Sequence, residues 1–436
     1  MKVINDRRLY WLIAVFMLAA LLGCTEERGT ESSLDNVEED VPEPFTLKFL
    51  NAVGTDEDAI NNMIIQPAKE EFPHIKIEVI PPGTPLPELI ANDELPDIIF
   101  SNANQFRNLV INNELAYDLS AFIDKHNVDL SRYNETVMDS IRGYADNALY
   151  AFPLTANREF LYYNKDLFDQ FGVPYLEDGV TWEEIYRVAQ QLTQEHDGVL
   201  YRGIDLDWSK LISWNQLSLP LLDAETDKAI VNTDEWRMWF DTMRLLYDIP
   251  GTYFGEEQPD RLESFLAGEL AMTNGQTVAP FTSTEAEDTF QLGIVTLPTF
   301  TEAPELTIQA YYTQYSIAST SEYKEEAFQV LSYVLTDDVL TDFVKTGRQV
   351  AVESINMEQY YAMDYPSITE NVSLSSIFKH DFAPSPPGQS EYEVAVRPIM
   401  HDAFRAVIND EKDISTALRE AEDLINQEVE ELKKKN

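Results

Sequence analysis

The stretch that decides the fold is Phe45–Ile80, FTLKFLNAVGTDEDAINNMIIQPAKEEFPHIKIEVI. Apolar and polar residues alternate over Phe45–Leu50, the period of a strand, and Asn51 to Asp58 is a loop rich in turn and capping residues. Ile60, Met63 and Ile64 continue at helical spacing, Pro67 is expected to kink or end that helix, and Ile75–Ile80 returns to strand character. Strand, helix, strand in this order is a βαβ unit and so predicts an α/β fold. Working outward, Asp97-Ile-Ile-Phe100 is a short apolar strand suited to a sheet covered on both faces. Ser101 to Gln105 is the polar loop at its C-terminal end, where open α/β sheets bind ligands. Thr181-Trp-Glu-Glu184 spells a capping box, and Ile185, Val188, Ala189 and Leu192 form the apolar stripe of the helix it opens. Two further helices are predicted from Ala327, Val330, Leu331 and Val334 and from Leu418, Ala421, Leu424 and Ile425. Pro384 to Gly388 should be a surface loop.

The N-terminal region has a different character. Fourteen apolar residues, Leu9 to Leu22, follow Lys2, Arg7 and Arg8 and stop at Cys24, the single cysteine of 436 residues. As a helix that run would reach about 21 Å against a hydrocarbon core of about 30 Å, so it suits a cleaved signal peptide, residues 1–23. Leu21-Leu-Gly-Cys24 resembles the bacterial lipobox, which implies a lipid on Cys24 and a protein held at the outer face of the cytoplasmic membrane. Thr25 to Pro44 carries eight acids, one arginine and two prolines without apolar periodicity. That is the composition of a disordered tether, residues 24–44 with the cysteine, of roughly 25 Å reach.

About 390 residues remain, enough for two lobes without a disulfide. Aspartate and glutamate number 77 against 31 lysines and arginines, a net charge of −46. This field excludes nucleic acid and anionic lipid as partners. It suits either a solubilising surface or a polycationic ligand such as a polyamine. Because salt screens exposed charges beyond about 8–10 Å, it says little about a recessed pocket.

Six segments in order resemble the extracellular solute-binding proteins of ABC importers, in their carbohydrate-binding, maltose-binding-protein-like branch. They are Ala151-Phe-Pro153, Leu161-Tyr-Tyr-Asn-Lys-Asp-Leu-Phe168 with Phe171-Gly-Val-Pro174, Thr181–Glu184, Phe265–Met272 (FLAGELAM) with Asn274-Gly275, Gly293-Ile-Val-Thr-Leu-Pro298, and the helix from Ser321 to Leu335. The resemblance implies a two-lobe periplasmic-binding-protein-like fold of type II, with the chain crossing its hinge near Asn157, Leu297 and Gly347. Lobe 1 is then 45–156 plus 298–346, and lobe 2 is 157–297 plus 347–436. It also implies a monomer that captures a small solute, a sugar or oligosaccharide, in the interlobe cleft and delivers it to permease subunits. A ligand sensor for a membrane signalling partner would use the same fold.

Sugars present apolar C–H faces and hydroxyl groups, so their pockets need flat rings beside side chains that both donate and accept. Under the resemblance, Asp56 is either a ligand contact or the N-cap of the next helix. Ser101 and Asn104 stand where relatives often carry an aromatic and an acid. Asn157 and Arg158 fall at the first crossing. Arg158 either clamps a carboxylate or phosphate or, the favoured reading, makes a structural ion pair. Trp208 and Trp214 are candidate stacking rings, with burial in the core as the alternative. Asn274 precedes a loop in which Thr277 replaces a tryptophan common in sugar binders. Tyr311 and Tyr312 either refill the cleft or face outward from a strand, and Arg348 lies near the return crossing.

Enzymatic signatures are missing. The sequence has no HExxH, GxSxG, P-loop or paired-cysteine motif, and its five histidines include no two at metal-ligand spacing. A glycosidase needs two carboxylates, and Asp205 with Asp207 would share one face of a strand, but such pairs arise by chance among 77 acids. The expectation is a binding protein with no catalytic residues, metal or cofactor.

Overall fold

The computed structural model describes residues 43–143, 148–250, 260–282, 290–386 and 390–435. Cys24, the signal peptide and nearly all of the expected tether lie outside them, as do Pro387 and Gly388 of the expected loop. Among the described residues the strands are β1 Phe45–Asn51, β2 Ile75–Ile80, β3 Ile98–Asn102, β4 Phe152–Asn157, β5 Phe160–Asn164, β6 Gln194–His196, β7 Val199–Tyr201, β8 Met272–Gly275, β9 Leu292–Thr296, β10 Leu306–Gln309, β11 Tyr311–Ile317 and β12 Asp381–Ala383.

The expected βαβ unit opens the first lobe. Phe45 of β1 pairs in parallel with Ile75 of β2, and Phe49 pairs with Ile98 of β3. The sheet order is β2-β1-β3-β11-β4, with β11 antiparallel to both neighbours. Pro67 does not end the intervening helix. Residues Asn61–Ile65 form a π turn in which the Gln66 amide donates to the Asn61 carbonyl, so Pro67 falls in the first turn of the segment Gln66–Glu71. There a missing N–H costs little, and the helix runs on.

Alternation in the strands assigns their faces. Leu47, Phe49, Ile98, Phe100, Tyr315 and Ile317 enter the larger apolar cluster together with Ala327, Val330, Leu331 and Val334. Leu50 and Ile99 point the other way, onto Phe106 and Val110.

The second lobe is built on the sheet β8-β5-β9, all antiparallel. Leu161 and Tyr163 of β5 enter a second cluster with Trp182, Ile185, Trp236 and Phe404, whereas Phe160 and Tyr162 enter the first. The strands flanking β5 need glycine where its tyrosines lie flat. A Cβ on Gly275 would stand 2.4 Å from the Tyr162 ring, and one on Gly293 would stand 2.2 Å from that of Tyr163. The capping box forms as expected. Thr181 Oγ1 accepts from the Glu184 amide at 3.3 Å, and Glu184 Oε2 accepts from the Thr181 amide at 2.9 Å. The C-terminal helix Ile414–Lys435 buries Leu418, Ala421 and Ile425, but Leu424 is 52% exposed and is not part of the stripe.

Only Arg158 and Glu159 separate β4 of the large sheet from β5 of the small one. The chain returns through β10 to β11. Farther on, the Ala351 amide donates to the Leu154 carbonyl at 2.9 Å, tying that segment to β4. The short helix Ser375–Phe378 instead packs on β9, and the helix Glu393–Ile408 feeds the second cluster.

Candidate functional site

Local hydrogen bonding carries Asn104 to the edge of the first lobe. At the end of β3, Asn102 and Gln105 form a reciprocal capping box, each side chain accepting from the other's amide at 3.0 Å. Gln105 Nε2 also donates to the Ala52 carbonyl at 2.6 Å, which fixes this turn on β1. Asn104, within the turn, accepts on Oδ1 from Arg397 Nη1 at 2.9 Å.

Arg397 comes from the second-lobe helix Glu393–Ile408 and is only 9% exposed. Its guanidinium lies 4.8 Å from the ring of Trp214, within cation–π range. Trp214 caps the helix Trp208–Ser213, and its ring meets that of Tyr311 edge-on, with centroids 4.9 Å apart at 84°. The backbone is fixed at the same place: the Gln309 amide donates to the Trp214 carbonyl at 3.1 Å, and Gln309 Nε2 donates to that of Asn215 at 3.2 Å. One turn before Arg397, both oxygens of Glu393 accept backbone amides, from Leu221 at 2.9 Å and Leu222 at 3.1 Å. Burial raises the Glu393 pKa, and the two amides with Arg397 and Arg107 act against that rise. Asn104, Trp214 and Tyr311 are thus brought together. Arg397, Glu393 and Arg107 join them without having been anticipated. Arg397 and Asn104 are separated by 293 positions, and nothing local marks the pair.

The other expected residues are placed elsewhere. Asp56 does cap its helix, accepting from the Ala59 amide at 2.8 Å, and it also lines a pocket of about 650 Å³ with Asn51, Thr55, Asn61 and Pro82. Its Oδ2 lies 3.8 Å from Arg348 in a solvent-facing pair. Asn157 ends β4 opposite Tyr311. Ser101 is wholly buried opposite Gln314, and Tyr312 lies in the first apolar cluster. Trp208 is 7% exposed in the second-lobe core, against the rings of His401 and Phe404.

Asn274 is buried and structural. It accepts from the Asp207 amide at 2.7 Å and donates to Glu159 Oε1 at 2.6 Å. The ion pair favoured for Arg158 is replaced by other contacts: Nε donates to the His380 carbonyl at 3.2 Å, and the guanidinium lies 4.4 Å from the Phe382 ring. Burial lowers the Arg158 pKa, with Asp381 and Glu353 opposing.

The carboxylate pair weighed for glycoside chemistry is committed to structure. Asp205 is buried and accepts from Arg202 at 3.0 Å. Asp207 caps its helix and accepts from Ser209 Oγ at 2.8 Å. Burial pushes the Asp207 pKa up, but Lys210, Ser209 and Arg261 together hold it below the usual carboxylate value. Among the described residues no group of three metal-ligating side chains is assembled, and no helix is long and apolar enough to cross a membrane.

Comparison with known proteins places these features in context. Residues 52–340 match the family model of the bacterial extracellular solute-binding proteins. A multiple sugar-binding protein of Streptococcus mutans is 22% identical over 370 residues, covering 78% of this chain and 81% of its own length. An ABC substrate-binding protein of Listeria monocytogenes, solved with cycloalternan, superposes with a TM-score of 0.70 at 19% identity, over 89% of this chain and 99% of that one. A cyclic α-maltosyl-1,6-maltose binding protein of Arthrobacter globiformis gives 0.70 at 20% identity, over 88% and 98%. At such identities the structural likeness speaks for the fold.

Proposed function

The chain belongs to the bacterial extracellular solute-binding proteins, and we propose that within that family it captures a sugar or oligosaccharide between its lobes and delivers it to an ABC permease. One observation carries the reading: the Trp214–Tyr311 corner lies beside a hydrogen bond that joins Asn104 of one lobe to Arg397 of the other. Rings for a sugar's C–H face and an amide for its hydroxyls are then within reach of a ligand that touches both lobes. Only such a ligand favours the closed form, and moving a balance from 1:99 to 99:1 takes about 5.5 kcal/mol of differential binding. The sugar-binding Streptococcus relative and the saccharide-binding structural neighbours support the ligand class.

A lipid on Cys24 would hold the protein, as a monomer, at the outer face of the cytoplasmic membrane. We place the lobe crossings at Arg158–Glu159, between β9 and β11, and within 364–374, where the chain passes from the β4 side to β9. The function is binding rather than catalysis, in keeping with the structural commitments of Asp205 and Asp207. A polyamine is the second reading, favoured by Asp56, Glu57 and Asp58 lining one pocket.

Thermal unfolding against neutral oligosaccharides, acidic sugars and polyamines tests the assignment. A ligand at one hundred times its Kd stabilises by about 2.7 kcal/mol. A shift with a saccharide, lost in Trp214→Ala, is the expected result; a response to polyamines alone overturns it.

A further inference from the structure

We propose that Asn104 and Arg107 of the first lobe, with Glu393 and Arg397 of the second, form a latch that favours the closed form before any ligand binds. The latch acts whatever the solute is. Asn104 and Arg107 are three residues apart in the helical run that follows β3, and Glu393 and Arg397 are four apart on the helix Glu393–Ile408. At these spacings each pair shares one helix face. The two faces meet in two rungs. Arg397 Nη1 donates to Asn104 Oδ1 at 2.9 Å, and the Arg107 charge acts on the Glu393 carboxylate. Arg107 and Glu393 are each 8% exposed and Arg397 9%, so the screening that makes surface ion pairs weak has little hold here. None of the four lies in a segment that we place at a lobe crossing. Chain connectivity therefore does not keep them together; the docking of the lobes does.

Charges buried at a seam stabilise it only where geometry and further hydrogen bonds offset their loss of water. Here each lobe holds its own groups in place. Glu393 accepts from the Leu221 and Leu222 amides at 2.9 and 3.1 Å, both within the second lobe, so its carboxylate is fixed without help from the first. Arg397 rests 4.8 Å from the ring of Trp214, also of the second lobe. On the other side, Asn104 lies in the turn held by the Asn102–Gln105 cap and by the bond from Gln105 to the Ala52 carbonyl. Docking then orders few side chains anew, which is what makes a small set of contacts effective. A closed form populated in advance raises the apparent affinity for a ligand, because less of the binding free energy is consumed by closure.

The experiment is a pulsed-dipolar distance measurement on the ligand-free full-length protein, carrying Cys24→Ser and spin labels on Glu70→Cys and Glu183→Cys, exposed positions on a helix of each lobe. With the latch residues intact, one interlobe distance should dominate, that of the structure. Asn104→Ala leaves the Asn102–Gln105 cap in place and removes an interlobe bond to a charged group. It should raise the open-to-closed ratio about tenfold or more, seen as a second, longer distance. Arg107→Gln should act in the same direction, and the two together should make the longer distance the main one. A ligand-free protein that shows mainly the longer distance with the latch residues intact overturns the proposal, whether or not the variants fold. A distribution unchanged by Asn104→Ala overturns it too, and that variant decides the matter if Arg107→Gln does not fold.

Discussion

Glu159 should make the stability of this protein fall as the pH rises towards neutrality. It lies in the two-residue link between β4 and β5 and is 2% exposed. Oε1 accepts from Asn274 Nδ2 at 2.6 Å, while Oε2 is buried without a hydrogen-bond partner. Burial raises its pKa from the ordinary 4.5 to about 7; Lys210 and Arg261 oppose the rise and Asp207 adds to it. The folded protein therefore holds this proton over a range in which the unfolded chain has lost it. The stabilisation is fully present below about pH 4.5, is lost as the pH climbs through 7, and amounts to about 3 kcal/mol across the window. Glu159→Gln mimics the protonated side chain and keeps an oxygen for Asn274. Urea unfolding of both proteins at pH 5, 6, 7 and 8 isolates the effect, because the remaining carboxylates are common to the pair. Relative to the unsubstituted protein, the variant should gain about 3 kcal/mol between pH 5 and pH 8. A difference that stays constant over that range would refute the argument.

Other substitutions test the packing and the hinge. Thr181→Ala removes the capping box and should cost about 1 kcal/mol, read as a fall of about 2 °C in Tm. Gly203→Ala should be far more damaging than Gly275→Ala. The new Cβ at 203 would lie 2.1 Å from the backbone oxygen of Ala189, which cannot rotate away, whereas at 275 it meets the Tyr162 side chain; soluble yield and Tm rank the two. Gln349 is 1% exposed and bonds both the amide and the carbonyl of Arg158, at 2.9 and 3.1 Å, as well as the Gln276 carbonyl at 2.8 Å. Gln349→Ala leaves three backbone groups without that partner and should cost about 2–4 kcal/mol in urea unfolding.

What could be read from the sequence was local. The capping box at Thr181 spans three residues, and the βαβ unit follows from periodicities of two and 3.6, so both are written within a few positions of themselves. The π turn before Pro67 has no such signature. Neighbouring aromatics could have been separated by geometry alone. Tyr311 and Tyr312 are consecutive on β11 and must point to opposite faces, so only one can meet Trp214. Trp208 and Trp214 lie at opposite ends of a six-residue helix; the first turns into the core and the second leaves at the cap. The hydrogen bond from Arg397 to Asn104 is set by how the lobes meet, and no spacing in the chain encodes it.

The departures from the sugar-binding pattern fit the same arrangement. Thr277 stands where many sugar binders place a tryptophan, and here its hydroxyl donates to the Gly347 carbonyl at 3.1 Å while its own carbonyl accepts from Tyr162. That position ties the loop after β8 to the return segment, where Gly347 takes φ +76° and a Cβ would lie 3.1 Å from Val278. Ser101, at the other altered position, is buried beneath the surface. On the proposed saccharide reading, stacking then falls to the corner of Trp214 and Tyr311, whose rings meet edge-on; an aromatic pair is worth about 0.5–1.5 kcal/mol beyond its buried area. Under that reading polar groups carry the discrimination between ligands, and the Arg397 guanidinium lies 4.8 Å from the Trp214 ring.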